Sequence, residues 1–127
     1  MHHLKIKIYY EDTDAGGVVY YANYLKYLER ARTEFLSEKG IDVSQYHHKG
    51  FIFVVVHVDI NYKRPARLGD IIDVTTDILE MTNATITLKH QVLKDNTLLI
   101  ESNVKVACVN HNGKPQRLPE SFKNLVA

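Results

Sequence analysis

Tyr9–Leu36 reads YYEDTDAGGVVYYANYLKYLERARTEFL, and its two halves ask for different backbones. The first half, Glu11-Asp12-Thr13-Asp14-Ala15-Gly16-Gly17, is turn chemistry: short polar side chains bond the local backbone and Gly accepts positive φ. The second half has helical spacing. Tyr24, Tyr27, Leu28, Ala31 and Phe35 recur at intervals of three and four, with Leu25 and Leu36 widening the stripe. The helix is expected to start somewhere within Val18–Asn23 and to run to Lys39, with Gly40 in the left-handed position that closes it. About 18 residues at 1.5 Å each give ~27 Å, and a helix that long in a small chain wants a sheet wrapped around it. Arg30 and Glu34 are spaced for an i,i+4 pair.

On both sides of this stretch the period is two. Leu4, Ile6 and Ile8 alternate with Lys5, Lys7 and Tyr9, which predicts a strand over Leu4–Tyr10. After a polar connection, Ile41–Gly50, four more strands follow. Val54, Val56, Val58, Ile60 and Tyr62 oppose Val55, His57, Asp59, Asn61 and Lys63, and Pro65 ends the pairing. The next three cover Ile72–Ile78, Ala84–Val92 and Leu98–Cys108, joined by Met81-Thr82-Asn83 and Lys94-Asp95-Asn96-Thr97. The order β-α-β-β-β-β with short links predicts that strands two to five are antiparallel neighbours. The class is α+β: one long helix on the apolar face of a five-stranded antiparallel sheet. The other face, with Val55, His57, Leu99 and Ala107, is expected to serve subunit association. Leu118–Val126 is a polar tail in which Pro119 is placed to start a helical turn.

A chain of 127 residues fits a single domain over 1–127. Hydrophobic residues make up 45% and charged residues 24%, which places it among folded rather than disordered chains. A net charge of +1 disfavours a dedicated nucleic-acid binder and leaves room for a small anion on local Lys or Arg. The one cysteine, Cys108, alternates with Val104 and Val106 and reads as a buried strand residue. No disulfide framework or CxxC zinc site can form within one chain. The seven histidines show no metal spacing, so neither metal nor cofactor is expected. The start, MHHLKIKIYY, lacks the apolar segment of a signal peptide, and Phe51–Val56, the longest apolar run, is far short of a transmembrane span. The expected location is cytoplasmic.

Three acids beside a helix start form a chemical device. A carboxylate can act as base or nucleophile, and the unpaired N–H groups of the first helical turn can bind a developing negative charge. The residues alone do not choose among Glu11, Asp12 and Asp14, since each also reads as a turn or cap residue. Gly16-Gly17 lacks the spacing of a phosphate loop. Lys63, Arg64 and Arg67 cluster at one strand end, where a nucleotide phosphate or an acidic carrier protein would suit them; a solvated cationic loop is the plain alternative.

The run Tyr10–Tyr20, followed by Ala22, Asn23, Tyr24 and Glu29-Arg30-Ala31-Arg32, resembles the opening motif of the 4-hydroxybenzoyl-CoA thioesterase family of hotdog-fold proteins. Within that family it is most similar to the YbgC-like acyl-CoA thioesterases encoded near the Tol–Pal genes. Tyr62, Pro65-Ala66-Arg67 and Gly69-Asp70 fit as well, and the likeness spans nearly the whole chain. It implies a hotdog fold and dimers formed sheet to sheet, often paired into tetramers. It also implies sites at the dimer interface and hydrolysis of acyl-CoA or acyl-carrier-protein thioesters without a metal. Asp14 is the implied catalytic carboxylate, as nucleophile or general base. Tyr21 stands where a backbone N–H at the helix start polarises the thioester carbonyl. YbgC-like members typically have His there; the hydroxybenzoyl enzyme resembles this chain in having Tyr. Tyr10 matches an aromatic position linked to the site. Gly16 and Gly17 are expected close to the acyl group and Lys63 and Arg64 at the carrier's phosphates, while Glu11 and Asp12 are left as scaffolding. A dehydratase of the same fold would need a catalytic His, and Met1–Lys39 has only His2 and His3. A non-catalytic adaptor for acyl carrier protein or a membrane complex would be marked by loss of the acid at position 14, which is present.

Overall fold

The computed structural model describes residues 1–126. Five strands, β1 (His2–Lys7), β2 (Ile52–Tyr62), β3 (Ile71–Met81), β4 (Thr85–Lys94) and β5 (Thr97–Val109), form one antiparallel sheet in the order β1-β3-β4-β5-β2. The long helix α1 (Tyr24–Glu38) packs on one face of it, chiefly over β1 and β3. This is the hotdog architecture that the sequence leads one to expect. The helix is shorter than its periodicity predicts, because Tyr21–Asn23 forms a tighter 3-10 turn and the α-helix starts at Tyr24. Its C-terminal end is as expected: Gly40 has φ +82°, and the Gly40 and Ile41 N–H groups donate to the carbonyls of Ser37 and Leu36.

The predicted stripe is the buried one: Tyr24, Tyr27, Leu28, Ala31, Phe35 and Leu36 meet Ile72, Val74, Val92 and Ile100 of the sheet in one core. Cys108 is fully buried, as its alternation predicts. Arg30 forms no ion pair with Glu34; its guanidinium lies 6.0 Å from the Tyr27 ring centroid instead. The Lys94–Thr97 link is a tight hairpin with Asp95 and Asn96 both at positive φ (48° and 65°), the geometry a two-residue loop needs to match the twist of its strands.

Three expectations are corrected. First, β2 and β3 are not neighbours. The Lys63–Asp70 connection does not fold back on β2 but crosses to the loop before α1, where the Val19 N–H donates to Ala66 O (2.9 Å) and the Leu68 N–H to Gly17 O (3.0 Å). β2 therefore becomes an edge strand beside β5. Second, the alternation along β2 breaks at a bulge between Val55 and His57. One extra residue shifts the phase, so Phe53, Val55 and Val58 share the helix side while His57 and Asp59 face outward opposite Lys105 and Asn103. Val55 thus belongs to the inner face, not to the outer one. Third, the polar connection holds a short helix, α2 (Val43–His48), capped by the Asp42 carboxylate, which accepts from the Ser44 and Gln45 N–H groups. The helical turn expected after Pro119 is present as a 3-10 segment, Glu120–Val126, and within the polar tail it buries Phe122 against Phe53. β1 also lies slightly earlier than predicted, so that His2 and His3 pair with Thr76 and Thr75.

Candidate active site

The loop from Tyr9 to Tyr20 is tied to the start of α1 by its own backbone. The Asp12 carboxylate accepts the Tyr9 N–H at 2.9 Å, and its carbonyl accepts both the Tyr20 N–H (3.1 Å) and the Asn23 side-chain amide (2.9 Å). Asp12 thus ties the loop to the helix start through both its side chain and its backbone. Beyond it the chain forms a tight hairpin: the Asp14 N–H donates to Val18 O at 2.9 Å, and the Gly17 N–H to Asp14 O at 3.0 Å. Gly17 sits at φ +75°, where a side chain would be strained. At the tip the Gly16 N–H donates to Asp14 Oδ1 at 2.8 Å, leaving the exposed carboxylate with lone pairs free on both oxygens.

Directly after this hairpin the 3-10 turn Tyr21–Asn23 leads into α1. Its first N–H groups, those of Tyr21 and Ala22, donate to no acceptor among the described residues. They are free donors at the positive end of a helix. From the other side the Tyr62 hydroxyl donates to Tyr21 O (3.2 Å), and the Tyr24 hydroxyl accepts the Ala66 N–H (2.9 Å). Rings of Tyr20, Tyr21, Tyr62, Tyr24 and Tyr27 touch in sequence, with centroids 4.8 to 6.3 Å apart, from the exposed tip to the core. Burial pushes the Tyr24, Tyr27 and Tyr62 hydroxyls above their ordinary range, so they remain protonated. The crossing loop is pinned by Asp70, which accepts from Lys94 Nζ (2.7 Å) and the Arg67 N–H (2.8 Å). Burial pushes this carboxyl up, but those donors outweigh it and hold it below its usual value.

Asp14, Gly16 and Gly17 thus share one hairpin, and the Tyr21 backbone follows it at the start of the 3-10 turn that leads into α1. Tyr10 opens the turn that carries the loop; its ring is 82% exposed, free for a ligand or a second chain. Lys63 and Arg64 are exposed at the end of β2, adjoining Tyr62, with their N–H groups on Leu99 O. What the sequence reading misses is an apolar cleft of about 430 Å³ between α1 and strands β2, β4 and β5. It exists because α1 leans on β1 and β3 and stands off the other strands. Leu25, Glu29, Arg32 and Leu36 line its helix side and Val55, Leu88 and Val106 its sheet side. The signal was there: positions 25, 29, 32 and 36 form a second stripe at helical spacing beside the core stripe.

The model of the thioesterase-like superfamily matches residues 9–126. The chain belongs to that superfamily. Among characterised relatives of the superfamily, the acyl-CoA thioester hydrolase YbgC of Escherichia coli O6:H1 is 40% identical over 119 residues, covering 92% of this chain and 89% of that protein. The acyl-CoA thioesterase YbgC of Haemophilus influenzae is 39% identical over 122 residues, covering 93% and 88%. The crystal structure of a probable thioesterase from Bartonella henselae superposes with a TM-score of 0.89 at 35% identity, covering 93% of this chain and 98% of that one. The superfamily assignment makes the chain a thioester hydrolase. No helix among the described residues is long and apolar enough to cross a membrane.

Proposed function

We propose that this thioester hydrolase cleaves acyl-CoA, with acyl carrier protein as a second candidate carrier, and that Asp14 carries the chemistry. The observation behind the reading is the junction itself: an exposed carboxylate, oriented by the Gly16 N–H, immediately precedes a helix start whose Tyr21 and Ala22 N–H groups are free. Two routes fit. In one, an Asp14 oxygen attacks the thioester carbon, CoA leaves as thiolate, and water hydrolyses the resulting anhydride. In the other, Asp14 takes a proton from water, the hydroxide attacks, and the tetrahedral intermediate expels the thiolate, which recovers the proton. In both, the carbonyl oxygen gains charge, and the Tyr21 N–H is the donor assigned to it. Lys63 and Arg64 are assigned to the carrier's phosphates, and Gly16 and Gly17 let the acyl group approach the backbone.

The protein is proposed to act in the cytoplasm as one domain over 1–127, in a homo-oligomer built from dimers. Support for the oligomer comes from the edge strand β2, which exposes Val54, Val55, Val56 and Val58. It also comes from the exposure of Asp14 and Tyr10, a site that needs a further wall. The names of the YbgC relatives support the substrate class. The test is hydrolysis of an acyl-CoA panel by the native chain, Asp14→Asn and Tyr21→His. The native chain and Tyr21→His should both turn over, since the substitution keeps the backbone N–H, and Asp14→Asn should not. No turnover of any thioester by the native chain would favour the non-catalytic adaptor.

A further inference from the structure

At a helix start a short polar side chain usually accepts the first N–H groups. Before α1 that device is missing. Tyr20, the residue ahead of the 3-10 turn, makes no side-chain cap bond, and Asn23 turns its amide to Asp12 O instead. The turn is held at a carbonyl, which leaves its first N–H groups free. Tyr62, the last residue of β2, reaches across from the sheet, and its hydroxyl donates to Tyr21 O at 3.2 Å. The strand makes Tyr62 a fixed point. It pairs with Ile100 of β5, and the next two N–H groups, those of Lys63 and Arg64, both donate to Leu99 O (2.9 and 3.1 Å). Its ring lies edge-on to that of Tyr21, with an interplanar angle of 88° and centroids 6.3 Å apart. On its other side the ring centroid is 5.8 Å from that of the buried Tyr24.

The Tyr21 carbonyl shares one planar peptide unit with the Ala22 N–H, so a donor that fixes the carbonyl also fixes the direction of that N–H. Hydrogen bonds in a chain polarise one another as well, by roughly 10–30% per bond, so a carbonyl that accepts makes the N–H of its own peptide a stronger donor. We propose that Tyr62 is a positioning residue for the hydrolysis: through Tyr21 O it aligns and polarises the Ala22 N–H, which joins the Tyr21 N–H in binding the thioester oxygen as charge develops there. This rests on the reading that places the thioester carbonyl at this helix start. Tyr62 itself touches no reacting atom, and its hydroxyl neither gives up nor takes a proton.

Tyr62→Phe keeps the ring and removes only the hydroxyl. With octanoyl-CoA and benzoyl-CoA as substrates, kcat should fall about 3- to 10-fold while KM changes by less than about twofold and Tm is kept, because the aligned donor counts for more as the oxygen gains charge. A second readout separates alignment from general loosening. In Asp14→Asn, which should hold these substrates uncleaved, the infrared stretch of the bound thioester carbonyl should lie below its position in water. Adding Tyr62→Phe should move it back toward that position. An unchanged kcat, or a loss of kcat with an unmoved carbonyl band, overturns the proposal. Failure of the Asp14 reading looks different: Asp14→Asn then cleaves as fast as the native chain, and the kcat and KM of Tyr62→Phe decide alone. If the native chain cleaves neither substrate, the infrared comparison is made between the native chain and Tyr62→Phe, and equal bands overturn the proposal.

Discussion

Among the described residues the Asp14 carboxylate accepts one hydrogen bond, from the Gly16 N–H at 2.8 Å, and a Cβ at position 16 would lie 3.3 Å from that same carboxylate oxygen. Gly16→Ala should therefore displace the carboxylate without loosening the fold: kcat/KM falls about tenfold, as misplaced catalytic groups do, while Tm stays nearly constant. The three acids were not separable by residue type. The backbone sets Asp12 apart, since its carbonyl takes the Tyr20 N–H and the Asn23 amide and ties the loop to the start of α1, while the carboxylates of Asp12 and Asp14 each accept one backbone N–H. No sequence pattern announces those bonds. His90 was equally hidden, a polar residue in an apolar alternation. Burial, then the Arg32 charge, lowers its pKa from 6.5 to about 4. Between these values the unfolded chain binds more protons than the folded one. Stability is thus full above about pH 6.5, falls as the pH drops toward about 4, and is flat below, a loss of roughly 3 kcal/mol. Urea midpoints between pH 7 and pH 4 should show this fall, and His90→Gln should flatten it.

At the scale of elements, local chemistry was legible wherever it was self-contained. The Asp95-Asn96 turn is such a case, and its positive φ values make a test. Asn96→Gly should be neutral or stabilising, whereas Asn96→Val should cost about 1–2 kcal/mol, read as a lower Tm, because a β-branched residue resists the left-handed region. The α1 stripe was legible for the same reason, since its spacing is a property of the helix alone. Two features were not. The bulge in β2 adds one residue to an unbroken run of apolar side chains, Phe53–Val56, where no polar residue marks the change of phase. The crossing of Lys63–Asp70 to the site loop depends on backbone bonds between Val19 and Ala66 and between Leu68 and Gly17, partners far apart in sequence.

Across the whole molecule, the same crossing that frees the edge of β2 also closes the loop over the helix start, so the proposed association surface and the proposed site are built by one connection. β2 pairs with β5 alone and leaves its other edge open, with Val54 and Val56 exposed beside it. Val54→Lys combined with Val56→Lys should give a monomer by light scattering and, if the neighbouring copy walls the site, should lower activity with it. The central claim is narrower: the carboxylate at the helix start does the chemistry. It is tested most directly by steady-state hydrolysis of acyl-CoA by Asp14→Asn beside the native chain, with CoA binding measured on both. The account predicts that kcat falls by about 10²- to 10⁴-fold while CoA affinity and Tm are kept. An Asn variant as active as the native chain would contradict it.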